Sequence, residues 1–195
     1  MSERAKANLA VMLSGGGRSL ENLISYIDRG ELDAQITVVI GSRACPGIEK
    51  AKKAGIPTFV FDGGIGGDNL DRLCTHHAVD WIILAGYLKL VPITDQVRGR
   101  VINIHPALLP AFGGQGMHGM HVHRAVVEAA KRGEVTETGC TVHFADDEFD
   151  QEKIIEQRRC GVSGDDSAEA VAARVFELEC ECLPSAIGQA IEHSS

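Results

Sequence analysis

The chain has 195 residues, of which 44% are hydrophobic, and a formal net charge of −8. This length can bury a sizeable core as one domain, and no apolar run approaches the roughly 20 residues that a membrane span needs. The acidic sequence lacks the clustered basic face that is typical of nucleic-acid binders. We therefore expect one soluble domain over residues 1–195, cytoplasmic by default, with small-molecule partners and neither nucleic-acid nor membrane partners.

The N-terminal apolar stretch predicts a first β-strand rather than a signal peptide. Six cysteines occur without any C-x-x-C pair, which argues against a zinc ribbon or a dithiol redox site. We expect reduced, structural thiols at all six positions, which are Cys45, Cys74, Cys140, Cys160, Cys180 and Cys182.

The first half of the chain alternates predicted strands and helices. Apolar runs predict buried strands over residues 8–14, 35–41, 58–62, 80–86 and 101–105. Helical spacing, or a proline at a helix start and a glycine at its end, predicts helices over residues 20–27, 46–55 and 69–78. Near-continuous apolar strands separated by helices indicate a parallel sheet that is covered on both faces.

The second half has a different character. Residues 121–133 predict a helix, and residues 138–147 and 153–162 predict two strands that form a hairpin added to the sheet. A long helix follows over residues 167–183 and is expected to stop at or before Pro184. The predicted fold is α/β: a Rossmann-like, mostly parallel twisted sheet with helices on both faces and a C-terminal antiparallel strand addition.

The segment SGGGRS follows the first strand and opens the first helix. Glycines allow the backbone to approach a ligand closely, and backbone amides at a helix start attract anions. We favour a phosphate site with Arg18 and Ser19 as side-chain donors; the alternative is a tight strand-to-helix turn. The segment is not the G-x-G-x-x-G dinucleotide pattern, because Leu20 stands at its last position, although Arg43 leaves an NADP 2′-phosphate contact open.

Asn103 and His105 close the fifth strand and, being two residues apart, share one of its faces. An Asn amide can donate to a developing oxyanion, and a histidine can transfer a proton near neutral pH. Pro106 restricts the chain directly after the histidine. A purely structural role for this strand end is the alternative.

Two further groups of residues invite interpretation. One carboxylate of a later acidic loop could orient His105 and stabilise its charged form, but the sequence does not choose among Asp146, Asp147, Glu148 and Asp150. Three histidines crowd a glycine-rich loop, at His118, His121 and His123. Their spacing matches no ligand motif, so no metal is expected.

Taken together, the motifs NIHPALLP (103–110) and VHFADDEFD (142–150) resemble the phosphoribosylglycinamide (glycinamide ribonucleotide) formyltransferase family of folate-dependent enzymes. The likeness extends from about residue 8 to residue 191. It implies 10-formyltetrahydrofolate as cosubstrate and no metal. It also implies a catalytic trio of Asn103, His105 and Asp150, a phosphate loop of Gly15, Gly16, Gly17, Arg18 and Ser19, a folate loop of Leu88, Lys89, Leu90 and Val91, and an amine contact at Glu179.

The sequence departs from this family at three places. Arg18 and Ser19 stand where the family usually has a small residue and an Asn, Gln151-Glu152 replace a small pair, and the loop over residues 113–123 is longer. One alternative keeps formyl transfer from the folate but uses another acceptor, such as an amino sugar, initiator tRNA or water. The last two acceptors are expected to need a further domain. Alternatives of other classes are a Rossmann-like nucleotide-binding oxidoreductase or sensor, and a non-catalytic folate binder. The sequence does not indicate the oligomeric state.

Overall fold

The structure is a computed structural model and describes residues 6–114, 116–145 and 153–193. Contacts between Cα atoms divide the chain into two compact units. The N-terminal unit contains the described residues up to Asn103 together with Ala145. The C-terminal unit contains the described residues from Ile104 to Phe144 and those of 153–193.

The N-terminal unit alternates strands with helices, as the apolar runs predict. Its elements are β1 (Ala7–Leu13), α1 (Arg18–Asp28), β2 (Ala34–Gly41), α2 (Pro46–Lys53), β3 (Thr58–Val60), α3 (Gly67–His76), β4 (Trp81–Leu84) and the start of β5 (Val101–His105). Every pairing among these strands is parallel. Parallel strands need crossover connections, and here the helices and the segment between β4 and β5 provide them.

The strands of this unit are buried on both faces. In β1, Ala10 and Met12 belong to one core cluster, together with Val38 and Ile40 of β2. The alternate residues of β1 point to the other face and are just as buried, with Leu13 only 1% exposed. Removing a leucine side chain from water contributes about 1.5–3 kcal/mol, so both faces of the sheet stabilise the unit.

The C-terminal unit contains α4 (Met120–Lys131), β6 (Glu137–Phe144), β7 (Ile154–Gly161) and α5 (Ala168–His193). Strands β6 and β7 pair antiparallel, with Thr141 opposite Gln157, which confirms the predicted hairpin. Helix α5 packs on both strands and on α4.

The strand order of the sheet is β3-β2-β1-β4-β5-β6-β7, which confirms the mostly parallel α/β fold with an antiparallel C-terminal addition. The order reverses between β1 and β4, which are neighbours although β2 and β3 separate them in the chain. In open parallel sheets, ligands bind beyond the carboxyl ends of the strands at such a switch point.

The sequence prediction was wrong about the last helix. Helix α5 does not stop at Pro184 but continues through it to His193. An interior proline removes one hydrogen bond and costs about 3 kcal/mol. The helix continues because its apolar face is buried beyond the proline as well, at Ala186, Ile187 and Ala190. Strands β3 and β4 are also shorter than their apolar runs suggest.

All six cysteines lie among the described residues and are free thiols. Within the same residues, no helix is both long and apolar enough to cross a membrane.

Candidate active site

Two loops of the N-terminal unit meet at the switch point. The backbone N–H of Ser14, directly after β1, donates to the carbonyl of Gly86, which follows β4, at 3.1 Å. The N–H of Leu88 donates to the Ser14 hydroxyl at 2.9 Å. The predicted phosphate loop, residues 15–19, and the predicted folate loop, residues 88–91, are therefore brought together by hydrogen bonds around Ser14.

The phosphate loop contains glycines with different requirements. Gly17 has a left-handed backbone (φ +72°), and a Cβ built on it would lie 2.6 Å from the Cα of Gly47. Gly47 holds the loop from the other side, since its N–H donates to the carbonyl of Gly15 at 3.0 Å. A Cβ on Gly15 or Gly16, in contrast, would meet no described protein atom within 4 Å. The space beside these two residues is open to a ligand.

Helix α1 begins at Arg18, immediately after this open space. The backbone N–H groups of a first helical turn have no partner inside the helix. The N-cap residue here is Gly17, which has no side chain to cap them. The Arg18 side chain is exposed and Ser19 is half-buried. A helix start and a cation together favour an anion, as the sequence predicts for this loop.

The folate loop presents apolar side chains to solvent. Leu88 is 46% exposed and Leu90 is 82% exposed, whereas Val91 packs against the core cluster. Just before the loop, Tyr87 is buried, and its hydroxyl accepts the N–H of Ile65 at 3.3 Å. Burial raises the pKa of the Tyr87 phenol. Exposed apolar side chains next to the solvent-accessible phosphate loop indicate a surface for a hydrophobic ring.

Arg43, which the sequence leaves open as a contact for a 2′-phosphate, has one hydrogen bond to the protein backbone although the residue is exposed. Its Nε donates to the carbonyl of Ser14 at 2.8 Å. This contact supports the loop after β1 and gives Arg43 a structural role there.

The strand β5 places Asn103 opposite Leu84, the last residue of β4. Asn103 and His105 are both half-buried. The Nε2 atom of His105 lies 2.8 Å from the carbonyl oxygen of Phe112. A carbonyl can only accept, so Nε2 bears the proton in this contact, and Nδ1 is the ring nitrogen at which protonation can change.

An unusual backbone conformation positions the carbonyl of Phe112. Phe112 is one of two non-glycine residues with positive φ among those described (φ +57°). A left-handed conformation is rare for residues with a large side chain. Phe112 was not predicted as part of the site, because neither spacing nor residue type indicates that its carbonyl faces His105.

The segment between His105 and Phe112 is fixed by a buried threonine of β6. The Thr141 hydroxyl donates to the carbonyl of Ala107 at 2.7 Å and accepts the N–H of Leu109 at 3.0 Å. The amide of Gln157, opposite on β7, donates to Thr141 Oγ1 and to the carbonyl of Leu109. Neither residue was predicted as part of the site, because each lies in a strand that contains several other polar residues.

The three histidines of the glycine-rich region differ in burial. His118 and His121 are exposed and their rings pack edge to face, with centroids 5.6 Å apart. His123, on the first turns of α4, is 6% exposed. Burial lowers the pKa of His123, and the charge of His105 lowers it further. No group of three or more potential ligands able to hold a metal occurs among the described residues.

The remaining predicted site residues are Glu179 and one carboxylate of the acidic loop. Glu179 is half-buried on α5. Asp150 and its acidic neighbours Asp146, Asp147 and Glu148 lie outside the described residues, so their assignment stays a prediction.

Comparison with known proteins gives a consistent result. The profile of a family described as "Formyl transferase" matches residues 7–187. The chain is similar to the chloroplastic phosphoribosylglycinamide formyltransferase of Arabidopsis thaliana, with 34% identity over 97% of this chain and 67% of the relative. The Vigna unguiculata protein of the same name is 37% identical over 89% of this chain and 57% of its own length.

A solved structure is also similar. Glycinamide ribonucleotide transformylase 1 from Symbiobacterium toebii superposes with a TM-score of 0.82 at 30% identity, over 95% of this chain and 88% of that chain.

Proposed function

Since the chain belongs to the formyl transferase family, we propose that it transfers the formyl group of 10-formyltetrahydrofolate to the amine of 5′-phosphoribosylglycinamide, a step of purine biosynthesis. The relatives that match along most of the chain have the corresponding names. We also propose that residues 1–195 act as a single formyltransferase domain. The family match over residues 7–187 supports this, because it includes both compact units.

The meeting of the two loops at Ser14 is the observation that supports this function best. An open glycine loop at a helix start suits the phosphate of a ribonucleotide, and the neighbouring exposed leucines suit the ring of a folate. Binding both substrates at one switch point holds the amine and the formyl group close together, and proximity of this kind lowers the barrier of a two-substrate reaction.

The proposed chemistry needs an oxyanion donor and a proton carrier. The amine attacks the formyl carbon, and the resulting tetrahedral intermediate has a negative oxygen. Asn103 donates to this oxygen through its side-chain amide, and a protonated His105 adds a positive charge beside it. The attacking nitrogen loses a proton and the folate nitrogen gains one as it leaves, with His105 and Asp150 as the groups that transfer protons.

The contact between His105 and Phe112 supports the role of His105. It directs Nε2–H at a backbone carbonyl and leaves proton exchange to Nδ1. Glu179 is proposed to contact the substrate amine, and Arg18 and Ser19 are proposed to contact the phosphate beside the backbone amides of the loop. These roles require no metal.

A formyl-transfer assay tests the proposal. The purified chain is incubated with 10-formyltetrahydrofolate and, in separate reactions, with phosphoribosylglycinamide, an amino sugar phosphate, or no acceptor. We expect tetrahydrofolate release and a formylated product with phosphoribosylglycinamide alone. A formylated amino sugar would support the other acceptor, and acceptor-independent formate release would support a hydrolase; either outcome contradicts the proposed function.

The control for this assay is the variant His105→Ala, which lacks the proposed acid–base group. It is expected to lower turnover by roughly a hundredfold or more, the usual contribution of an acid–base group. Binding of a folate analogue should persist, because residues 88–91 are unchanged.

A further inference from the structure

Two buried hydroxyls join the ends of β1 and β2 in the N-terminal unit. Ser14 is 1% exposed and Ser42 is 4% exposed. Their Oγ atoms lie 2.6 Å apart. Neither residue belongs to the phosphate loop or the folate loop, and a buried hydroxyl is retained at low cost only where it has hydrogen-bond partners.

Ser14 contacts each part of the switch point. Its N–H donates to Gly86 at 3.1 Å, its hydroxyl accepts from the N–H of Leu88 at 2.9 Å, and its carbonyl accepts from Arg43 at 2.8 Å. The next residue along the chain, Gly15, begins the phosphate loop. One residue thus fixes the entrance of the phosphate loop and the first residue of the folate loop.

Ser42 determines the orientation of the Ser14 hydroxyl. Its own backbone is fixed, because its N–H donates to Leu13 at 3.2 Å and its carbonyl accepts from Gly63 at 3.3 Å. Whichever hydroxyl donates, the Ser14 oxygen is held between Ser42 and the N–H of Leu88. Rotation of the Ser14 side chain would break one of these contacts.

The folate loop needs such an anchor. Leu88, Lys89 and Leu90 are all exposed, so core packing contributes little to the position of these residues. The hydrogen bond from Leu88 to Ser14 lies at the start of this exposed stretch. When one residue contacts two loops, a ligand that orders the first loop reduces the cost of ordering the second.

We propose that Ser14, oriented by Ser42, is a positioning residue that couples the two substrate loops, so that bound ribonucleotide strengthens folate binding and bound folate strengthens ribonucleotide binding. The coupling is reciprocal by thermodynamic necessity. The inference rests on the proposed function for the identity of the ligands, whereas the hydrogen bond between Ser14 and Leu88 can be tested without any ligand.

The test compares the full chain with Ser14→Ala, Ser42→Ala and a matched control, Thr37→Val. The Thr37 hydroxyl is also buried and lies on β2, but it has no partner among the described residues, so Thr37→Val removes a hydroxyl of the same unit without breaking a contact. Amide exchange at Leu88 is measured in the ligand-free proteins by NMR. The affinity for a non-transferring folate analogue is measured by calorimetry, with and without saturating phosphoribosylglycinamide.

We expect Leu88 in Ser14→Ala to exchange roughly tenfold faster or more, because its N–H loses its acceptor. The ribonucleotide should strengthen analogue binding about five- to a hundredfold in the unaltered chain and much less in Ser14→Ala. Ser42→Ala should lose part of the coupling while keeping the acceptor for Leu88. Thr37→Val should behave as the unaltered chain. If the effects came merely from destabilisation by removal of a buried hydroxyl, Thr37→Val would show them too.

The outcomes separate this inference from the proposed function. A chain that binds neither the analogue nor the ribonucleotide contradicts the proposed function, whereas the exchange rate of Leu88 still reports on Ser14. Substrate binding without coupling, or coupling that survives in Ser14→Ala, overturns the inference. Should Ser14→Ala fail to fold, Ser42→Ala decides: full coupling in that variant also overturns the inference.

Discussion

At the scale of single residues, the adjacent glycines of the phosphate loop differ in how strongly the protein backbone requires a residue without a side chain. Gly17 adopts a left-handed backbone against Gly47, so a side chain there is strained and has no room. Gly16 has neither restriction within the described structure. The described structure therefore offers no steric reason for glycine at position 16, where an added side chain would enter the open space of the proposed phosphate site.

This difference gives a prediction with an internal control. Gly16→Ala should fold normally, with a change in unfolding free energy within about 0.5 kcal/mol, and should raise the Michaelis constant for the ribonucleotide, because the added methyl group occupies the open space. Gly17→Ala should lower the unfolding free energy by about 1–3 kcal/mol. Denaturant unfolding and steady-state kinetics measure the two effects; a normal Michaelis constant in Gly16→Ala would place the phosphate elsewhere.

The role of Asp150 rests on the sequence alone, because the residue lies outside the described residues. If its carboxylate faces His105, it favours the imidazolium form. Asp150→Asn should then lose most turnover and shift the pH–rate profile, at nearly constant side-chain volume.

The neighbouring acids provide the controls for this prediction. If Asp150 is the carboxylate that faces His105, Asp146→Asn, Asp147→Asn and Glu148→Gln should have much smaller effects, because each of them leaves that carboxylate in place. A severe loss in one of these variants instead would transfer the catalytic role to that acid. Mild effects in all four variants would exclude these acids as the carboxylate partner of His105.

At the scale of elements, the segment that follows β5 depends on one hydroxyl of β6. Thr141 is fully buried, and its hydroxyl holds the backbone of Ala107 and Leu109 between His105 and Phe112. An apolar strand residue would pack equally well at this position. The polar side chain is explained by the segment it fixes, and through that segment by the carbonyl that orients His105.

We therefore predict that Thr141→Val, which keeps the shape and removes the hydroxyl, lowers the unfolding free energy by about 1–3 kcal/mol, because two backbone groups lose a partner. Turnover should fall with it, while the Michaelis constant for the folate changes little. Thr141→Ser retains the hydroxyl and should recover most of the turnover. Equal turnover in Thr141→Val and Thr141→Ser would show that the hydroxyl does not position the segment.

Helix α5 shows where local rules fail at this scale. Proline is a strong local signal for a helix end, and the predicted end of the last helix at or before Pro184 rested on it. The helix nevertheless continues through Pro184, because tertiary packing buries eight residues of α5, among them Pro184 itself. Burial of this kind depends on what packs against the helix and cannot be deduced from the residues of the helix alone.

At the scale of the whole molecule, the order and type of the elements were predictable, because they depend on apolar periodicity and on glycine and proline positions. The loops at the carboxyl ends of β1 and β4 were predictable for the same reason. The Ser14–Ser42 pair and the Thr141 network were not predictable, since each joins residues that are distant in sequence. The Phe112 carbonyl was not predictable either, because residue type does not indicate the left-handed backbone at Phe112. Recognising them requires the strand order, which periodicity does not specify.

The dependence of global stability on pH provides the last prediction. Burial, and secondly the charge of His105, lower the pKa of His123 below its ordinary value of 6.5. The unfolded chain therefore binds a proton at His123 that the folded chain does not bind. The unfolding free energy should fall as the pH drops below about 6.5, and this fall should end once the pH is below the lowered pKa of the folded state.

His123→Leu removes the titrating group and keeps an apolar side chain in the buried position, so its unfolding free energy should decline less between pH 7 and pH 5. Each unit of pKa shift corresponds to about 1.4 kcal/mol. His77, whose pKa burial also lowers, remains in both proteins and contributes equally. His118→Asn, at an exposed site, should follow the unaltered chain. If the stability curves of His123→Leu and the unaltered chain stay parallel across this range, His123 is not held neutral by the fold.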